Sequence, residues 1–181
     1  MNTALIAIAP PPTNPIGIGS LEEWEEIEKK YQLRFPSGYK ELLATYGSGR
    51  FNNSFGIVNP FHTPKNNDGF SEFVHMRTRD MAEVKRMHPK LSVELPVYPE
   101  KGGLFPWGYT DNGGTLCWLT NNSESSWEIV FLDHGYARDY YRCSLDITDF
   151  IAKWLAGRIK VEALTPPGFL PLKQPVFLKR E

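Results

Sequence analysis

The sequence predicts a single α+β domain: a central mixed or antiparallel sheet flanked by about four helices. Three observations lead there. Two early stretches, starting at Ser20 and Pro36, repeat apolar residues at helical spacing. Residues 104–134, LFPWGYTDNGGTLCWLTNNSESSWEIVFLDH, read as three short strands joined by two polar turns and carry three of the five Trp. One more amphipathic stretch follows from Ser144. At 181 residues the chain suits one domain with a real core and is marginal for two.

Residues 1–19 form a lead rich in Pro and Gly. Residues 3–9 pair as an edge strand or lie on the surface, and Pro10, Pro11 and Pro12 stop any helix there. Ser20 with Glu23 is a capping box, and Leu21, Trp24, Ile27 and Tyr31 follow as one buried stripe. Glu22, Glu23, Glu25, Glu26 and Glu28 take the other faces, with acids at the positive end of the helix and Lys29 and Lys30 at its negative end. Pro36 opens the next helix, in which Tyr39, Leu42, Leu43 and Tyr46 recur at i, i+3, i+4 and i+7. Gly47 and Gly49 end it.

Residues 50–60 are β-like, with Phe55, Ile57 and Val58 as the strand, and residues 62–69 are a polar loop. Residues 70–87 read as a third helix, apolar through Phe70, Phe73, Val74, Met81 and Val84 and basic through Arg77, Arg79, Lys85 and Arg86. Residues 91–103 are a loop with a possible short strand at Val97 and Tyr98. Strands are then expected at 104–109, 115–119 and 127–132, with the Asn112-Gly113 pair turning the first hairpin. Trp127, Ile129 and Phe131 alternate with Val130 and Leu132, which implies a strand covered on both sides. Residues 135–142 add a short strand or turn. The last helix buries Ile147, Phe150, Ile151, Trp154, Leu155 and Ile159. Residues 161–181 hold four Pro and form a non-helical tail, extended along the body through Phe169, Leu170, Val176 and Phe177.

Composition narrows the function. Aromatics make up 13% of the chain, so the core is ring-rich. A net charge of −1 argues against a nonspecific nucleic-acid binder, although a local basic patch stays open. Cys117, inside TLCWL, reads as a small core residue; with Cys143 it fits a pair of reduced cytosolic thiols better than a disulfide. The start, MNTALIAIAPPPTNP, lacks a basic segment and is too short in apolar length for a signal peptide or a membrane span, so the cytoplasm is the expected location.

Catalytic patterns do not emerge. His62, His75, His88 and His134 form no HxH or HExxH pair, and neither Cys lies near the other. Asp133-His134 reads as a strand-end polar pair before a metal-ligand fragment. Gly47-Ser48-Gly49-Arg50 follows a helix and lacks the spacing and Lys of a phosphate loop. An enzyme would need a pocket that groups His62, His134 or paired acids. Trp24 and Trp154 fall on helix stripes and belong to the core. Trp107, between Pro106 and Gly108, is the Trp with the best case for partial exposure, although core packing is the favoured reading for it.

The order of these features resembles the SUKH superfamily, which includes bacterial immunity proteins and fungal cell-wall-assembly regulators. FPSGYKELLATYGSGRF is similar to its opening helix motif, Gly56-Ile57-Val58-Asn59-Pro60 to the strand that follows, and Leu104-Phe105-Pro106-Trp107-Gly108 to its strand before a polar turn. The similarity continues through Cys117-Trp118-Leu119 and Trp127-Glu128-Ile129-Val130 to the last helix. It covers about residues 20–160, leaving 1–19 and 161–181 outside as Pro-rich ends. Pro36, Tyr39, Gly47, Pro106 and Gly108 match as structural positions. The resemblance implies a non-enzymatic protein, without metal or cofactor, that binds a cognate polymorphic toxin (possibly a nuclease) and blocks it by occlusion. A scaffold or regulator in cell-wall assembly or signalling is the alternative. No membrane or direct nucleic-acid contact is expected. Glu22, Glu25, Glu26 and Asp111 are the expected charged partner contacts, with Trp107 as anchor.

Overall fold

A computed structural model of the chain describes residues 3–52, 54–62, 69–121, 123–159 and 176–179. In chain order the elements are α1 (Thr3–Ile8), α2 (Leu21–Tyr31), α3 (Ser37–Tyr46), β1 (Gly49–Phe51), β2 (Phe55–Ile57), α4 (Phe70–Met87), β3 (Leu104–Thr110), β4 (Thr115–Leu119), a 3-10 turn (Glu124–Ser126), β5 (Glu128–Leu132), β6 (Tyr141–Cys143), α5 (Ile147–Leu155) and β7 (Phe177–Lys179). The strands form one sheet in the order β6-β5-β4-β3-β2-β1-β7, and every neighbouring pair is antiparallel. The α+β expectation holds.

Period-two alternation sorts the strand side chains into two cores. Leu116, Trp118, Ile129 and Phe131 join the aromatic core beneath α1, α2, α3 and α5. Cys117, Leu119, Val130 and Leu132 join an aliphatic core with Leu104, Val93, Val97 and Tyr136. Helix α4 serves both, through Phe70, Phe73 and Val74 in its first turns and Met81 farther along the same face. Strand β5 is thus covered on both faces, as its alternation predicts.

The aromatic core is a lattice of rings. Trp118 stacks on Trp107 at 5.2 Å and meets Tyr39 edge-on at 4.9 Å. Tyr39 meets Trp24 at 5.8 Å, and Phe55 links Trp107 at 5.9 Å to Trp154 at 5.5 Å. Offset and edge contacts of this kind add about 0.5–1.5 kcal/mol per pair beyond burial. All four residues of the α3 stripe are fully buried, and the Tyr39 hydroxyl donates to the Val58 carbonyl at 2.5 Å.

Several expectations change. Residues 3–9 are a helix and its cap rather than an edge strand or surface segment. Their Ala and Leu favour helix, and Leu5 and Ala9, one turn apart, are fully buried. Pro10 ends the helix by driving Ala9 out of the α region. Residues 50–60 hold two strands, β1 and β2, paired Arg50↔Gly56 and Phe51↔Phe55 around a turn entered by Asn52 at φ 50°. Val58 lies just beyond β2. Of the expected α2 stripe, Trp24 and Tyr31 are buried but Leu21 is 80% exposed. The last helix starts at Ile147, not Ser144, because the Asp146 side chain caps it by accepting from the Thr148 N–H at 2.8 Å. Val97 makes only an isolated bridge to Leu104.

Both ends of the chain meet at Tyr46. Its hydroxyl donates to the Ala9 carbonyl at 2.6 Å, and its ring packs on Phe177 of β7 at 4.9 Å. Beside it, Gly47 adopts φ +65°, and a Cβ there would lie 2.4 Å from the Ile16 carbonyl oxygen. Only glycine lets the N-terminal segment pass so close. Phe169 and Leu170 lie outside the described residues.

Candidate functional site

Helix α2 stands out from the surface because its fold needs only one side of it. The capping box is closed: the Ser20 N–H donates to Glu23 Oε2 at 2.7 Å and the Glu23 N–H to Ser20 Oγ at 3.2 Å. Glu28 is also held, accepting from the Phe35 N–H at 2.8 Å and pairing with Lys40 at 2.7 Å. That leaves Glu22, Glu25 and Glu26, all exposed, along the outer ridge. Hydrogen bonds from its own backbone N–H and from the Ser20 hydroxyl hold the Glu22 carboxyl below the usual carboxylate range.

A shallow groove runs on each side of the ridge. One, of about 400 Å³, is lined by Glu23, Glu26, Ile27, Lys30 and the segment Pro60, Phe61 and His62. The other, of about 470 Å³, is lined by Glu25, Glu28, Lys29, Gln32, Leu33 and Arg34. Phe61 is fixed edge-on against Trp24 at 4.6 Å. The first groove does gather His62 with two acids. One of them, Glu23, is already committed to the helix cap. His134 lies elsewhere, its Cβ against the β3–β4 turn at Gly113. Among the described residues, no three His, Cys, Asp or Glu side chains gather to hold a metal ion.

Asp111 is exposed but apart from the glutamates. It sits in the turn after β3, where its N–H donates to the Ser54 carbonyl at 3.0 Å. Helix α2 touches the opposite end of β3, through Tyr31 on Phe105 at 5.3 Å. Six residues of strand separate Asp111 from Phe105, about 20 Å at the usual rise.

Trp107 is corrected outright: it is 0% exposed and cannot reach a partner. Strand β3 lies at the centre of the sheet, and two-residue alternation puts Trp107 in the aromatic core on the same face as Phe105, beside a register shift between Pro106 and Gly108. The flanking Pro and Gly mark that bulge rather than an open loop. The exposed apolar residues near α2 are instead Leu21 and, at 48%, Ile18. Sequence periodicity hides Leu21, because it stands three residues before Trp24. Its position as the first helical residue, a turn ahead of any core contact, is the signal that separates it.

Among the described residues, no helix is long and apolar enough to cross a membrane. The sequence matches the family model described as SMI1-KNR4 cell-wall, SUKH_6, over residues 21–151. That span runs from the first residue of α2 into α5 and omits α1 and β7. No curated protein and no solved structure matches the chain.

Proposed function

The chain belongs to the SUKH superfamily, and from that premise we propose that it is a non-enzymatic cytoplasmic immunity protein. It binds a cognate polymorphic toxin, of the nuclease kind among others, and neutralises it by non-covalent occlusion. One observation carries the reading. Glu22, Glu25 and Glu26 stand exposed on a ridge between two grooves, with Glu22 also held at the helix start by its own N–H and the Ser20 hydroxyl. An acidic, convex surface complements a basic cleft, speeds encounter and discriminates against acidic partners. Toxins that act on nucleic acid carry such clefts, because phosphate neutralisation supplies much of their affinity.

The test is protection. Cells expressing a toxin gene found beside this one are expected to survive with the wild-type chain. Survival is expected to fall with the combined E22K, E25K and E26K variant at equal protein level. Full protection by that variant would remove the ridge from the mechanism. The family description, which names the cell wall, favours a second reading: a scaffold or regulator in wall assembly. Absence of any toxin gene nearby, with wall defects on deletion, would support it.

A further inference from the structure

We propose that Ile18 and Leu21 form the apolar anchor of the docking face, fitting an apolar pocket ringed by Lys and Arg on a basic protein. This rests on the reading of α2 as the docking ridge and adds what lies at its centre. Leu21 is 80% exposed and Ile18 48%, and they flank the capping residue Ser20. Their exposure is built into the backbone. A Cβ at Gly17 would lie 2.6 Å from His62 Cβ, and one at Gly19 would lie 2.3 Å from the Phe61 ring. The Asn59 amide donates to the Gly17 carbonyl at 2.8 Å. Residues 17–19 are therefore pressed flat on Phe61 and His62, which turns Ile18 outward. Leu21 begins a helix whose cap is already closed. Anchors held this way lose little conformational freedom on binding.

The surroundings name the partner's charge. From Gly17 to Glu28 there are five Glu and no Lys or Arg. An apolar centre with a charged rim is the usual anatomy of a tight interface. Size points the same way. Helix α2 has 11 residues, about 16 Å of length, whereas a standard interface covers about 800 Å² per partner. A partner on the ridge must therefore extend past the N-terminus of α2 or over its flanks. Another exposed apolar pair, Met87 at 56% and Leu91 at 70%, lies among Arg86, His88 and Lys90 and so has the opposite charge.

The experiment titrates the chain with a purified toxin whose toxicity the chain suppresses in cells. Ile18→Ser with Leu21→Ser is expected to weaken binding about tenfold or more, while Met87→Ser with Leu91→Ser leaves it unchanged. Both pairs should keep the wild-type thermal midpoint, since the fold buries neither. Should the serine pair lower it, Leu21→Lys and Leu21→Glu replace it: against a basic ring, the Lys variant binds more weakly than the Glu variant. Unchanged affinity of the serine pair overturns the anchor, as does equal binding of the Lys and Glu variants. So does loss of a dimer of this chain on Leu21→Ser, which would give the surface to a second copy. If the wild type itself fails to bind, the immunity reading falls, an outcome distinct from failure of the anchor alone.

Discussion

The centre of the sheet and the outer edge of α2 both carry large apolar side chains beside polar turns or charges, and they hold them in opposite ways. On β3 and β4, Trp107 and Trp118 are enclosed by neighbouring strands and by the helices above, with rings on several sides. At the start of α2, Leu21 and Ile18 meet solvent, and the backbone beneath them is what is packed. The difference teaches which side chains the fold consumes and which it leaves available. A residue enclosed by partners contributes stability; a residue turned outward by a rigid backbone is left available to a partner.

The largest expected effect comes from breaking the enclosed side. Trp118→Ala should cost about 3–5 kcal/mol in denaturant unfolding, from lost burial and the cavity left behind. A loss under about 1 kcal/mol would show that the ring lattice does not hold the fold together. Next is Leu5→Ala, about 2–4 kcal/mol by the same mechanism. That result would place α1, outside the matched family span, inside the folding unit.

A smaller effect sits where the ends of the chain meet. Tyr46→Phe removes the hydroxyl that donates to Ala9 and should cost about 1 kcal/mol. It also carries an alkaline signature. Burial pushes the Tyr46 phenol up to about 12, whereas a free tyrosine titrates near 10. A raised folded-state value means the stabilisation is present below about pH 10 and lost as pH rises towards 12. The Phe variant should lose less stability over that range than the wild type, as read by unfolding at several pH values. Smallest is the contrast between the thiols. Burial pushes the Cys117 thiol well above its ordinary value, while Cys143 on edge strand β6 is partly accessible. A thiol reagent should label Cys143 in the native chain and Cys117 only after unfolding.

Much of the scaffold was readable before the structure because each part is locally determined. The Ser20–Glu23 box, the α3 stripe, the span of α4, β4 and the two-sided β5 all follow from short-range spacing. What was not readable depends on distant partners. Helix α1 forms where Leu5 and Ala9 find the aromatic core, and β7 forms where Phe177 reaches Phe51 across more than a hundred residues. The candidate site divides the same way. Glu22, Glu25 and Glu26 stand together because one helix sets their spacing. Asp111 lies past the end of β3 opposite the one that Tyr31 of α2 touches, and Trp107 is taken inside by the alternation it shares with Phe105, which its Pro106 and Gly108 neighbours disguise as a loop.

In the proposed division of labour the sheet carries the fold while the ridge of α2 carries the binding. The direct measurement compares the wild type with the combined E22K, E25K and E26K variant, recording toxin affinity and thermal midpoint on the same samples. Affinity is expected to fall by about tenfold or more, from reversed charge complementarity, with the thermal midpoint only slightly lowered by reversal of the Glu22 charge at the helix start. Unchanged affinity, or a weakening matched by a collapse of the midpoint, would contradict it.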